Sequence, residues 1–167
     1  MTSTSSRFRI QFLLGALACA ALMGYALYAQ YVLHLEPCPL CIFQRVAVIA
    51  LGVVFLLGAL VGPNSSGGKR AWSLLAVLMA LAGIAVAGRH LWIQSLPADQ
   101  VPSCGPPLPY MLHIMSFSKM LVKVFTGSGE CAQVTWRFLG LAMPGWVLIC
   151  FVVLAAWAIY AGFRRKT

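Results

Sequence analysis

Apolar residues run along this chain in four long stretches, at about residues 10–32, 42–62, 72–91 and 145–162, and charge is almost absent from them. Each is long enough to cross the hydrocarbon core of a bilayer, which takes roughly 20 predominantly apolar residues. In lipid every backbone N–H and C=O must be paired within its own segment, so each span is predicted to be helical rather than extended. Polar residues gather in the loops at 33–41 and 92–144, and in GPNSSGGKR between the second and third spans. That last stretch has turn and linker chemistry and carries no catalytic group. The expected fold is therefore an all-α membrane protein, a four-transmembrane-helix bundle forming a single integral membrane domain over residues 1–167. Its long second loop opens on LPADQVPSCGPPLP, too rich in Pro and Gly for a helix. From Leu112, LHIMSFSKMLVKVF alternates apolar and basic positions at roughly helical spacing. A short surface helix with Lys119 and Lys123 toward the headgroups fits, and so does a helix packed on the spans.

Composition agrees with the pattern. The 167 residues are 61% hydrophobic and 9% charged, against about a quarter charged in an ordinary soluble domain. A net charge of +9 would suit nucleic acid if it formed one basic face. Instead Arg7, Arg9, Lys69, Arg70, Arg164, Arg165 and Lys166 flank apolar runs, so nucleic-acid binding is not expected. The acids Glu36, Asp99 and Glu130 all lie in the other two loops. Excess Lys/Arg marks the cytoplasmic side, which predicts both termini in the cytoplasm and every loop cysteine on the extracytoplasmic side, where disulfides persist. Ala18-Cys19-Ala20 has a small-x-small form, but the apolar run continues well beyond it, so the first span is expected to remain as an anchor. Cys19 and Cys150 read as small apolar residues inside helices.

Cys38-Pro39-Leu40-Cys41 carries the candidate chemistry. Two intervening residues let the sulfurs approach bonding distance, and Pro39 restricts the backbone between them. Thiol–disulfide exchange needs one thiolate to attack while its partner can reclose the ring. Cys41 falls at the start of the second span, where the helix dipole favours an anion. Arg45, four residues on, stands about 6 Å along the same helical face, and both features favour a Cys41 thiolate. An arginine near a helix end also snorkels to headgroups, and Cys-x-x-Cys also serves zinc sites. A zinc site would bring a second close ligand pair, whereas Cys104 and Cys131 are far apart in sequence, so redox chemistry is favoured and no metal site is expected.

If Cys104 and Cys131 form a disulfide, it would close a loose loop and stabilise by roughly 3–4 kcal/mol in the chain-entropy model. Two cysteine pairs on one side of a small membrane protein suggest exchange between them. Electrons passing from Cys104–Cys131 to Cys38–Cys41 would need an outlet. There is no Cys-x-x-Cys-His haem motif and no dinucleotide fingerprint, which points to a lipid-soluble acceptor. A quinone fits, with Arg45 donating to a carbonyl where negative charge develops. His90, at the outer end of the third span, is a candidate second polar wall, or else an interfacial packing residue.

Taken together these residues resemble the disulfide bond formation protein B (DsbB) family over nearly the whole chain. The resemblance is carried by PCPLCIFQR, by GRH at the end of the third span, by Cys104 in its loop, and by SGECAQVTWRFLGLAMPGW from Ser128. It implies a protein of the bacterial inner membrane that reoxidises the periplasmic thiol oxidase DsbA and passes the electrons to ubiquinone or menaquinone. It further implies that reduced DsbA attacks Cys104, that the released Cys131 attacks Cys38, and that Cys41 is freed as the thiolate facing the quinone. Arg45 would then stand at the quinone and His90 near it. The rival reading is a disulfide-stapled or metal-binding membrane scaffold without turnover.

Overall fold

Each apolar stretch folds as one helix, and each helix begins before the stretch that announced it. A computed structural model describes residues 3–97, 100, 116, 119, 122, 129–132, 134 and 136–164. In chain order it holds α1 (Ser3–Tyr31), α2 (Pro39–Val61), α3 (Ser66–Gln94), the single turn α4 (Gly129–Ala132), the strands β1 (Arg137–Phe138) and β2 (Leu141–Ala142), and α5 (Met143–Phe163). Among the described residues, α1, α2, α3 and α5 are long and apolar enough to cross a membrane. This is the expected four-helix membrane architecture.

Helix ends are set by capping, which a hydropathy window does not register. The side chain of Ser65 accepts a hydrogen bond from the Gly68 N–H at 3.1 Å, an N-cap that starts α3 at Ser66. Most of GPNSSGGKR is therefore helical rather than linker. The turn itself needs little chain: Gly62 takes the left-handed conformation (φ 53°) that closes α2, and Pro63 prevents continuation. At its other end α2 begins at Pro39, which suits a first-turn position because its missing N–H would have no helical partner there. Cys41 thus lies within the helix, in its first turn.

Large side chains face outward on all four spans: Leu17, Leu60, Leu78 and Val153 are among the exposed ones. Inside, small residues allow close approach, as expected where lipid tails compete equally for apolar surface, and Phe8, Phe12, Phe55 and Phe151 fill the space between the helices. On α3 the buried stripe is Ser73, Ala76, Ala80, Gly83 and Ala87. It meets Phe151, Ala155, Ala158 and Ala161 of α5. Phe12 and Phe55 cross edge-on at 5.1 Å, each ring lying over a glycine of the facing helix, Gly58 and Gly15. The broadest contacts join α3 to α5 and α1 to α2, with α2 against α3; the α1–α5 seam is the thinnest of the four.

A stability contrast follows from this packing. A Cβ on Gly83 would fall onto the Phe151 ring, whereas one on Gly24 would meet nothing within 4 Å. Gly83→Ala is expected to destabilise by about 1–3 kcal/mol through overpacking. Gly24→Ala should stabilise by roughly 0.5–1 kcal/mol, because alanine loses less backbone freedom in a helix. Thermal unfolding of the two variants in detergent micelles checks both signs.

Neighbouring spans alternate in direction. The Ser5 hydroxyl donates to the Gly62 carbonyl at 3.1 Å, and Arg70 lies over the Phe163 ring at 5.6 Å. The start of α1, the α2–α3 turn and the end of α5 therefore share one basic end. The opposite end carries the start of α2, the end of α3 and the start of α5. There the strands pair antiparallel, Phe138 opposite Leu141, through a turn in which Leu139 (φ 51°) and Gly140 (φ 81°) are both left-handed, as a two-residue hairpin requires. The Trp146 indole N–H donates to the Phe138 carbonyl at 3.1 Å and holds this hairpin over α5. This hairpin and the first residues of α5 fall in the stretch at 92–144 that is expected from the sequence to be loop. Most of the expected surface helix lies outside the described residues; Lys119 and Val122 within it are helical and exposed.

Candidate functional site

Cys38 is the N-cap of α2 and Cys41 its third helical residue, the spacing at which a cap and the side chain three residues on normally exchange hydrogen bonds. Here the pair is sulfur. Cys38 Sγ stands 3.3 Å from Cys41 Sγ, and the Cys38 backbone N–H is turned toward the Cys41 sulfur. The Cys-x-x-Cys spacing thus becomes a helix start whose unpaired N–H groups and dipole favour an anion at Cys41. Both cysteines are half-buried and neither is in a disulfide.

Arg45 and Gln44 leave α2 in different directions. Arg45 reaches across to α1, where Nη2 donates to the Ala26 carbonyl at 3.0 Å and Nη1 donates to Gln30 Oε1. An intramembrane arginine held by a backbone carbonyl and an amide is satisfied without a carboxylate. Gln44, 4% exposed, faces α3, and its Nε2 lies 3.1 Å from His90 Nδ1. His90 is buried as well. Its Nε2 is 3.1 Å from the Cys131 carbonyl oxygen and 3.8 Å from Cys38 Sγ.

Cys131, carried by α4, is buried with Leu40, Val86 and Ile93. Its Sγ, Cys38 Sγ and a ring nitrogen of His90 all lie within 4.8 Å of one another. The fold therefore brings together Cys38, Cys41, His90 and Cys131 at one end of the bundle. Such a trio has donor atoms suited to a soft metal, while the adjoining Cys41 sulfur, 3.3 Å from Cys38, gives the cluster a dithiol of exchange geometry. Cys104 lies outside the described residues.

A cavity of ≈ 200 Å³ opens beside this cluster, walled by all four spans. Leu22, Met23, Ala26 and Ala29 come from α1, Cys41, Arg45 and Val48 from α2, His90 and Gln94 from α3, and Met143, Trp146, Val147 and Cys150 from α5. An apolar chamber with a few convergent polar groups is the usual form of a small-molecule site. Cys150, read from the sequence as a plain helix residue, belongs to its wall. Cys19 does behave as expected, buried and packed over Gly52.

Sequence reasoning missed the three glutamines, Gln30, Gln44 and Gln94. Their signal was present: an uncharged amide inside an apolar span must find a partner, and Gln44 and Gln94 sit one residue before Arg45 and one turn after His90.

Comparison with known proteins fits this geometry. The family model described as "Disulfide bond formation protein DsbB" matches residues 8–161. A disulfide bond formation protein B of Xanthomonas campestris pv. campestris is 52% identical over 159 residues, covering 95% of this chain and 92% of that protein. One of Hahella chejuensis is 50% identical over 157 residues, covering 94% of each. One of Nitrosococcus oceani is 52% identical over 149 residues, covering 89% and 88%. With four helices long and apolar enough to cross a membrane, a vicinal dithiol at one end of the bundle and these matches across nearly its whole length, the chain belongs to the DsbB family of disulfide bond formation proteins.

Proposed function

We propose that the protein is a quinone-dependent thiol oxidase of the bacterial inner membrane, which reoxidises a periplasmic DsbA-type thiol oxidase and passes the electrons to ubiquinone or menaquinone. The observation that carries this reading is the position of Cys41. Its sulfur is 3.3 Å from Cys38 Sγ and it lines an apolar cavity that also holds Arg45. The Lys/Arg bias of the basic end supports cytoplasmic termini and a periplasmic cluster.

In the proposed sequence, a thiolate of the reduced partner attacks Cys104, forming a mixed disulfide and releasing Cys131 as a thiolate. Cys131 then attacks Cys38, so a Cys131–Cys38 bond forms, the Cys38–Cys41 bond breaks, and the electron pair leaves on Cys41. The first-turn N–H groups of α2 hold that charge. A quinone in the cavity supplies a two-electron acceptor more oxidising than the DsbA-type partner. Its chemistry suits the donor set: the walls are mostly apolar, and Arg45 has N–H donors beyond the two held by α1. Arg45 would hold a quinone oxygen, and His90 would close the polar wall beside it.

Stopped-flow absorbance tests the proposal. Purified protein mixed with a reduced DsbA-type oxidase should bleach added ubiquinone or menaquinone, and the preferred quinone is the one reduced with the lower KM. A correctly folded protein that reduces neither quinone would leave the scaffold reading standing.

A further inference from the structure

The side chains of Gln44 and His90 share one buried hydrogen-bond chain at the cluster, and its far end is a backbone carbonyl. The Cys131 carbonyl can only accept. At 3.1 Å from His90 Nε2 it calls for a proton on that nitrogen. In the neutral imidazole, which carries one N–H, Nδ1 is then left with its lone pair and takes a donor. Gln44 supplies one, its amide nitrogen 3.1 Å away. The chain therefore runs Gln44 N–H to His90 Nδ1, then His90 Nε2–H to the Cys131 carbonyl.

This chain links three elements. Gln44 is on α2, one residue before Arg45; His90 is near the end of α3; Cys131 is on α4. The four residues of α4 are too few to hold their own conformation, since an isolated single turn is unfavourable in water. Contacts outside it fix the position of Cys131: its burial with Leu40, Val86 and Ile93, and the hydrogen bond between its carbonyl and His90. The result is that Cys131 Sγ lies within 4.8 Å of Cys38 Sγ.

We propose that Gln44 is a positioning residue for the internal disulfide exchange: by holding His90 with its proton on Nε2, it docks the Cys131 segment against Cys38. Here His90 serves as a pin, with both ring nitrogens engaged by the protein. Glutamine suits the task because it donates to Nδ1 without bringing a charge into the bundle. A glutamate there would accept rather than donate and would favour a proton on Nδ1. This inference rests on the cysteine relay proposed above, but it adds a residue that the relay does not itself require.

Two reductants separate the steps. A DsbA-type protein delivers electrons through Cys131, whereas a small dithiol attacks the Cys38–Cys41 disulfide directly and bypasses the docking. For Gln44→Leu the ratio of protein-driven to dithiol-driven quinone reduction should fall about tenfold, the scale of one buried hydrogen bond. A merely structural defect lowers both rates together, and an unchanged ratio overturns the proposal. A measurement on the unaltered protein stands beside it: nitrogen-15 NMR of labelled histidine in micelles, with His90 assigned by comparison with His90→Asn. A protonated Nε2 with a bare Nδ1 is expected, and a ring proton on Nδ1 overturns the proposal even if Gln44→Leu fails to fold. Failure of the unaltered protein to reduce quinone with either reductant would count against the thiol-oxidase reading, while the NMR result would still judge the docking chain.

Discussion

Cys38→Ser is expected to lower turnover with a reduced DsbA-type partner by at least on the order of 10³-fold, the scale on which loss of a covalent nucleophile acts. The Cys38 sulfur stands between two other sulfurs, 3.3 Å from Cys41 Sγ and within 4.8 Å of Cys131 Sγ. A serine oxygen forms no disulfide with either, so the internal bond and the transfer from Cys131 are lost together. The helix should be indifferent to the change, because Cys38 is the N-cap of α2 and serine is among the best residues for that position. Thermal unfolding in micelles is expected to stay within roughly 0.5 kcal/mol of the unaltered protein. That combination, lost turnover in an intact fold, separates the enzyme from a disulfide-stapled scaffold. Unchanged turnover in folded Cys38→Ser protein would favour the scaffold.

Arg45→Ala should cost about 10²–10³-fold in quinone reduction, the usual effect of removing a preorganised donor from developing negative charge. The guanidinium is already oriented by the Ala26 carbonyl and Gln30, so it needs no rearrangement to face the cavity it lines. Arg45→Lys should recover only part of the loss, since an ammonium keeps the charge but not the rigid fork of donors. Stopped-flow traces over a range of quinone concentrations would show a raised quinone KM, a lower limiting rate, or both. Kinetics identical to the unaltered protein would reduce Arg45 to an anchor between α1 and α2.

Much of this was legible in the sequence, for reasons that differ from residue to residue. The spans were visible because bilayer thickness imposes a length that few other constraints produce. Cys38, Cys41 and Arg45 stood out because a dithiol and a charge are rare at the edge of an apolar run. The start of α3 at Ser66 was hidden, since a serine cap and two glycines look like linker until the Ser65–Gly68 hydrogen bond is seen. The three glutamines were hidden because an amide has no charge to flag it and its meaning depends on what lies across the bundle. The meeting of Cys131 with Cys38 was beyond periodicity altogether. It depends on how α4 docks against α3, a contact between residues 41 positions apart.

The thin seam between α1 and α5 has a consequence for how the cavity fills. Both helices contribute to its wall, yet they touch each other least of the neighbouring pairs. A hydrophobic ligand is expected to arrive sideways through this seam from the surrounding lipid, without crossing water. Its occupancy would then be governed by its mole fraction in the bilayer, so diluting the protein with buffer should leave the site's saturation unchanged, while diluting it with lipid should lower it.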